Sequence, residues 1–75
     1  MTQAQFTHLM LKARTLADLG DETDYWNGYQ RGLRRAFHGD QFGTDEEHAL
    51  WLALAEAPET DRKEKGRGYR DGLKA

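Results

Sequence analysis

A six-residue pattern that occurs twice constrains the fold of this chain more than any other feature. Gly28-Tyr29-Gln30-Arg31-Gly32-Leu33 returns forty positions later as Gly68-Tyr69-Arg70-Asp71-Gly72-Leu73. On an α-helix, the two glycines of each copy lie one turn apart on the same face, with the tyrosine and the leucine beside them. A face without side chains lets another backbone approach closely. The pattern therefore predicts a close helix–helix contact at each copy.

The composition favours helices throughout the chain. Its 75 residues include no Ile, no Val, no Ser and no Cys. Without Ile and Val the chain lacks the side chains that best suit a β-sheet, whereas Leu, Ala and Met are good helix formers. A chain this short buries only about 60% of its unfolded surface, so its core is small and a homodimer is an open alternative. We predict an all-α fold.

Hydrophobic periodicity and end signals predict a single compact four-helix domain over residues 1–75. The predicted helices cover about 3–19, 23–38, 45–57 and 61–74. Thr2 and Gln5 form a capping box before the first helix, and Thr44 and Glu47 form another before the third. Gly20 is expected to end the first helix in a left-handed conformation.

The third and fourth predicted helices differ in character. The third is apolar almost all round, which predicts that it is the central and most buried element. The fourth contains three glycines, each of which weakens a helix by about 1 kcal/mol relative to Ala. Thr60 or Asp61 is expected to cap its amino end.

The repeat also raises the hypothesis of a duplicated helical hairpin. Aligning the chain with itself at an offset of forty residues pairs the two motif copies and matches four of their six residues. The second and fourth helices would then be equivalent. We expect them to cross at their glycines about a pseudo-twofold axis.

Charge is segregated into blocks that the net charge of −2 conceals. Residues 25–39 carry a charge of +3, residues 40–61 a charge of −7 and residues 62–75 a charge of +4. Basic side chains recur on one face of the second helix and again on one face of the fourth. If these faces merged they would form a surface suited to phosphates. The plainer alternative is that they are solvated, or are neutralised by the acidic residues 40–47.

Aromatic side chains are numerous for a domain of this size, and we expect one or two of them at the surface. Tyr and Trp are preferred at the centres of protein interfaces, which singles out Tyr25 and Trp26 at the start of the second helix. Combined with the basic faces, they give the candidate partner-binding residues: Tyr25, Trp26, Arg31, Arg34, Arg35, His38, Arg67, Arg70 and Lys74.

Other kinds of site find little support in the sequence. His8, His38 and His48 are far apart and show no metal-ligand spacing. The absence of Cys and Ser removes the commonest nucleophiles. We therefore predict no enzyme, no metal site and no cofactor. No apolar run approaches the ~20 residues that span a bilayer, and Met1-Thr2-Gln3 does not begin a signal peptide, so we expect a cytoplasmic protein without membrane contact.

Three segments together resemble the ribosome modulation factor family of small bacterial proteins. They are Gly28-Tyr29-Gln30-x-Gly32, Trp51-Leu52 and Gly68-Tyr69-Arg70. Members of that family pair a Gly-Tyr-Gln-x-Gly helix with a second helix bearing Trp-Leu and Gly-Trp-Arg. The resemblance implies ribosome binding and translational silencing. This chain lacks the family's Cys-Pro-Tyr segment, has a longer spacing and is acidic overall.

Two functional hypotheses follow from the sequence. The first is a non-enzymatic interaction protein that binds a larger protein or ribonucleoprotein machine and modulates or inhibits it, as anti-CRISPR proteins and other phage or plasmid accessory proteins do. The alternative is an RNA- or ribosome-binding regulator that uses the basic faces of the second and fourth helices. A phosphate-driven contact weakens steeply with salt, which separates the two hypotheses.

Overall fold

The computed structural model describes all 75 residues as four α-helices joined by short connections. They are α1 (Gln3–Asp18), α2 (Thr23–His38), α3 (Asp45–Ala53) and α4 (Thr60–Lys74). A 3-10 turn follows α2 at Gly39–Gln41, and another follows α3 at Leu54–Glu56. The all-α, four-helix prediction is confirmed. The main difference lies in the third helix, whose last predicted turn is a 3-10 turn rather than α-helix.

The first hairpin consists of α1 and α2 packed antiparallel. The predicted capping box is present, because the backbone N–H of Gln5 donates to the Thr2 hydroxyl and the Gln5 side chain accepts from the Thr2 N–H. At the other end of α1, Gly20 adopts a φ of +88°, as expected of a left-handed cap. The Phe6 and Phe37 rings stack with centroids 4.4 Å apart, which joins the start of α1 to the end of α2.

The two motif helices, α2 and α4, meet through their glycine faces. A Cβ at Gly28 would overlap the carbonyl group of Lys65, and a Cβ at Gly68 would overlap that of Tyr25. The two contacts are equivalent, because Gly28 corresponds to Gly68 and Tyr25 corresponds to Lys65 at the offset of forty residues. A twofold axis between equivalent helices produces such a pair of contacts.

A second pair of contacts one turn further along repeats the relation. A Cβ at Gly32 would overlap the carbonyl oxygen of Tyr69, and a Cβ at Gly72 would overlap that of Tyr29. Since contacts advance in the same direction on both helices, α2 and α4 run parallel. The predicted crossing at the glycines about a pseudo-twofold axis is confirmed. We call this contact the glycine seam and define it by Gly28, Gly32, Gly68 and Gly72.

The prediction that the third helix is central and most buried is wrong. No residue of α3 is buried, and Leu50 and Leu52 remain 67% and 39% exposed. The buried apolar side chains instead belong to the other three helices, namely Ala13, Ala17, Leu33 and Tyr69. Because the glycine seam brings two backbones together, the centre of the molecule is occupied by α2 and α4, and α3 lies outside them.

Two predicted helix starts differ from the structure. Thr44 accepts from the backbone N–H of Glu47, but the reciprocal half of the capping box does not form. The Glu47 carboxylate turns instead to an arginine of α2. The fourth helix begins after Glu59, with no side-chain cap, so neither Thr60 nor Asp61 caps it. α4 is nonetheless helical throughout, because its glycines are buried against other backbone segments.

None of the four helices has the length and apolar character needed to cross a membrane.

Candidate functional site

Arg31, predicted to face a partner, is bound within the protein. Its guanidinium lies 3.0 Å from the Glu47 carboxylate of α3. The same group lies 4.7 Å from the centroid of the Trp51 ring and 5.2 Å from that of Phe42. A cation over an aromatic face is stabilised by the ring's negative charge density. Arg31 therefore attaches α3 to α2.

Arg35 has the most extensive polar contacts in the molecule. Its side chain is 11% exposed and lies 3.0 Å from Asp45 and 3.3 Å from Asp40. It also donates to the backbone carbonyls of residues 42–44, at 3.4 to 3.5 Å. These contacts hold the connection between α2 and α3 in place. For Arg31 and Arg35, neutralisation by the acidic residues 40–47 is the interpretation that the structure supports.

The basic residues of α4 do not join those of α2. Arg67 pairs with Glu64 at 2.8 Å, and Arg70 lies 3.9 Å from Asp71. Lys74 is exposed and has no ion pair. A twofold axis that runs parallel to α2 and α4 places equivalent residues, such as Arg34 and Lys74, on opposite sides of the helix pair. The predicted merged basic surface therefore does not form.

Tyr25 and Trp26 are half-buried beside the glycine seam rather than at an open surface. The Tyr25 hydroxyl donates to the Asp71 carboxylate at 2.6 Å, which links α2 to α4. Burial first, and then this hydrogen bond and the nearby negative charge, raise the pKa of Tyr25 to about 12. The Trp26 ring meets that of Tyr25 edge-on at 4.9 Å. Both aromatics thus contribute to packing within the domain.

Tyr69 is the buried motif residue that contacts α3. It is 2% exposed, and its hydroxyl lies 2.6 Å from Nδ1 of His48. The Trp51 ring covers it at 5.6 Å. Burial raises the pKa of the Tyr69 hydroxyl, while the positive charges of Arg35 and Arg31 act in the opposite direction. His48 is therefore a structural histidine that anchors α3.

One concave surface contains arginines that form no hydrogen bond or ion pair within the protein. It lies between α1 and α2 and encloses about 450 Å³. We call it the cationic groove and define it by Phe6, Thr7, Met10, Leu11, Arg14, Gln30, Arg34 and His38. It contains three basic side chains and no carboxylate.

The two arginines of the cationic groove have no polar partner within the protein. Arg14 and Arg34 are exposed and form neither a hydrogen bond nor an ion pair, although Arg34 lies 6.0 Å from the Phe42 ring centroid. His38 is exposed too and meets the edges of the Phe6 and Phe37 rings at 5.5 and 5.0 Å. Arg14 and Arg34 are therefore available to an external group, unlike Arg31 and Arg35.

The floor of the cationic groove is apolar. Phe6 and Met10 are half-buried, and Leu11 is 64% exposed, one of the largest exposures among the apolar side chains. Leu11 lies one position outside the i, i+3, i+4, i+7 stripe that packs α1 onto α2. It therefore widens the apolar face of α1 beyond what the hairpin covers.

Of the nine predicted partner-binding residues, the cationic groove brings together only Arg34 and His38. The sequence reasoning missed the contribution of α1, namely Phe6, Met10, Leu11 and Arg14. The sequence did contain a signal for this surface. Leu11 is an apolar residue outside the apolar stripe of the first helix, and Arg14 follows it by less than one turn. Antiparallel packing of α1 on α2 then places both beside the exposed Arg34.

A second concavity lies where the amino ends of α2 and α4 meet. Its walls include five carboxylates: Asp21, Glu22, Asp24, Asp61 and Glu64. No group of three or more His, Asp or Glu side chains in the molecule is arranged to hold a metal ion. The carboxylates lie close to the positive ends of the two helix dipoles, which favours negative charge there.

Comparison with known proteins finds no matching family model, no matching curated protein and no matching solved structure. The resemblance to ribosome modulation factor therefore stays a prediction based on the three short segments in which it was seen.

Proposed function

We propose that this chain is a small, non-enzymatic interaction protein that binds a larger protein or ribonucleoprotein machine and modulates or inhibits it. The observation that carries the proposal is the cationic groove. Its two arginines form no hydrogen bond or ion pair within the protein, and its floor exposes apolar surface beside them. Elsewhere on α2 the arginines are bound by carboxylates of the same chain.

Unpaired cations beside an exposed apolar surface are what a protein partner can use. Contact with the apolar floor would remove Leu11 and Met10 from water, which supplies free energy in proportion to the area covered. The arginines would steer a negatively charged partner and set its orientation. Arg is also enriched among the residues that dominate binding at protein interfaces.

The size and chemistry of the chain fit the class of phage and plasmid accessory proteins that inhibit a host machine, anti-CRISPR proteins among them. Such a protein needs one stable scaffold and one surface, and it needs no catalytic pocket. Here the glycine seam would supply the scaffold and the cationic groove the surface. A bacterial partner and a cytoplasmic setting belong to this proposal.

A second candidate function is direct RNA or ribosome binding by α4. The observation in its favour is that Arg62, Lys63 and Lys74 on this helix have no ion pair. Arg67 and Arg70 are exposed next to them, although each has a carboxylate nearby. The resemblance to ribosome modulation factor points the same way. A sequence pI near 5.9 and the neutralised arginines of α2 weigh against it.

A pull-down from nuclease-treated bacterial lysate tests the proposal. The tagged chain should recover a protein partner whose yield does not change with nuclease treatment. Recovery only of complexes that nuclease abolishes would refute it and favour the second candidate. A parallel titration with a single-stranded RNA at low salt would then show binding with a steep salt dependence. If neither partner binds, both proposals fail.

A further inference from the structure

The shape of the cationic groove limits what can occupy it. The groove runs between two antiparallel helices, from Phe6 to Arg14 on the α1 side. The eight helical steps between these two residues rise about 12 Å, which is roughly two helical turns. A groove of this length between two helices accepts the face of a third helix, whose side chains at i, i+4 and i+7 span about 10 Å.

The chemistry of the groove limits the occupant further. Leu11 and Met10 require apolar side chains opposite them if water is to be excluded. Arg14 and Arg34 border this apolar floor without any carboxylate between them, so groups facing them are stabilised if they are negative. A basic or neutral helix would leave both guanidinium groups covered and unpaired, which is costly.

The same features disfavour single-stranded RNA in the groove. Base stacking needs an open aromatic face, but the Phe6 ring is stacked on Phe37 and meets the His38 edge. The two arginines neutralise at most two phosphates, which corresponds to a salt slope of only about −1.4 for a single strand. The apolar floor would meet a charged backbone.

We propose that the cationic groove binds a helical segment of a partner protein that carries Asp or Glu beside apolar side chains spaced i, i+4 and i+7. This inference rests on the proposed function and specifies the chemistry of the partner. The apolar side chains cover Leu11 and Met10, and the carboxylates reach Arg14 and Arg34. The site is distinct from the basic residues of α4.

Fluorescence anisotropy with a designed probe peptide tests the inference. The probe is about 16 residues long, because shorter isolated helices are marginal. It carries Leu at i, i+4 and i+7 with Glu flanking them. One control peptide replaces every Glu with Lys, and a second replaces every Leu with Ala. The probe should bind the full chain and both controls should bind at least about 10-fold more weakly, a ratio equivalent to 1.4 kcal/mol.

Variants of the protein locate the binding. Arg14→Glu, Arg34→Glu and Leu11→Asn change exposed side chains and should each weaken probe binding, roughly 10-fold for the charge reversals. Arg67→Glu on α4 makes the same charge change elsewhere and should leave binding within about twofold. Circular dichroism should show all four variants folded. Equal weakening by Arg67→Glu, or binding that ignores the loss of Leu from the peptide, would overturn the proposal.

Two other occupants are outcomes of the same test. α3 is itself acidic at its start and exposes Leu50 and Leu52, so a second copy of this chain could compete for the groove. If sedimentation shows self-association that Arg34→Glu abolishes, the groove binds a second copy of this chain and the proposal of a different partner protein is overturned. Displacement of the probe by oligouridylate would overturn it in favour of RNA. If the pull-down recovers a groove-dependent protein but the probe does not bind, the proposed function stands and the acidic-helix inference falls.

Discussion

The two helical hairpins, α1–α2 and α3–α4, share one motif but bury opposite members of it. In the first hairpin Leu33 is fully buried and Tyr29 is half-buried. In the second, Tyr69 is 2% exposed and Leu73 is half-buried. The glycines are used in the same way in both. The repeated residues thus fix the seam, and the outer helix of each hairpin determines how its flanking side chains are covered.

The outer helices differ most in what they leave open. α3 contacts both motif helices, through Glu47 on Arg31 and through His48 on Tyr69. α1 makes no such polar contact with the arginines of α2, so its groove keeps Arg14 and Arg34 unpaired. This contrast teaches that the equivalence of the hairpins ends at the seam. Polar contacts to α2 and α4 attach α3, whereas the arginines between α1 and α2 stay free for a partner.

Substitutions at the glycine seam should have the largest effect and should test the equivalence of the hairpins. Gly32→Ala and Gly72→Ala each place a Cβ against the carbonyl oxygen of a facing tyrosine, Tyr69 or Tyr29. Because backbone must move to relieve the overlap, each should lower the free energy of unfolding by about 3 kcal/mol, the upper end of the usual cost of overpacking. Urea unfolding followed by circular dichroism measures this.

Gly20→Ala is the matched control for the seam. Gly20 has nothing within 4 Å of an added Cβ, and only its positive φ opposes the change. Its cost should be about 1–2 kcal/mol. If Gly32→Ala is tolerated as well as Gly20→Ala, the seam is not the scaffold. If Gly72→Ala is tolerated and Gly32→Ala is not, the pseudo-twofold equivalence is broken.

Two neighbouring arginines of α2 should respond differently to the same truncation. Arg35→Ala removes contacts with Asp40, Asp45 and three backbone carbonyls and should cost about 2 kcal/mol of unfolding free energy. Arg34→Ala should change stability by less than about 0.5 kcal/mol, since Arg34 forms no ion pair. Thermal unfolding of both variants compares them. An equal loss would mean that Arg34 is structural as well.

The hydroxyl groups of the two motif tyrosines should contribute differently to the free energy of unfolding. Tyr69→Phe removes the hydrogen bond to His48 in a buried position and should cost about 1 kcal/mol. Tyr29→Phe is the matched control, because the Tyr29 hydroxyl forms no hydrogen bond within the protein and its loss should be nearly neutral. Denaturant titration separates the two values. A larger loss for Tyr29→Phe would reverse the assigned roles.

The smallest expected effect concerns stability at high pH. The pKa of Tyr25 is raised from an ordinary value near 10 to about 12, so folding favours its neutral form. This contribution to stability is complete below pH 10 and is lost as the pH rises through 12. Tyr25→Phe should therefore flatten the decline of stability between pH 10 and 12. An unchanged decline in the variant would show that the Tyr25–Asp71 contact contributes nothing to it.

The seam was predictable from the sequence, but the position of α3 was not. Glycines one turn apart on two helices imply close backbone approach, and no other residue type can replace them there. The apolar run Ala49-Leu50-Trp51-Leu52-Ala53 predicts burial. This prediction is wrong because the glycine seam brings two backbones together and leaves little apolar side-chain surface to cover α3. The third helix packs through one face only, using Trp51 and His48.

The candidate site was predictable only in part, for a related reason. Helix periodicity identifies Arg31, Arg34 and Arg35 as one face of α2 but does not say which carboxylates of the following connection reach them. That depends on the 3-10 turn at Gly39–Gln41, which returns Asp40 and Asp45 to Arg35. The contribution of Arg14 and Leu11 depends on how α1 lies against α2, which periodicity does not specify.

The claim that the cationic groove is the partner-binding site is tested most directly by two double variants of equal charge. Arg14→Glu/Arg34→Glu alters the groove, and Arg67→Glu/Lys74→Glu makes the same change in charge on α4. Partner yield from nuclease-treated lysate, measured by quantitative mass spectrometry, is the readout. We predict that the first variant loses the partner and the second retains it. Loss with the second variant and retention with the first would contradict the account.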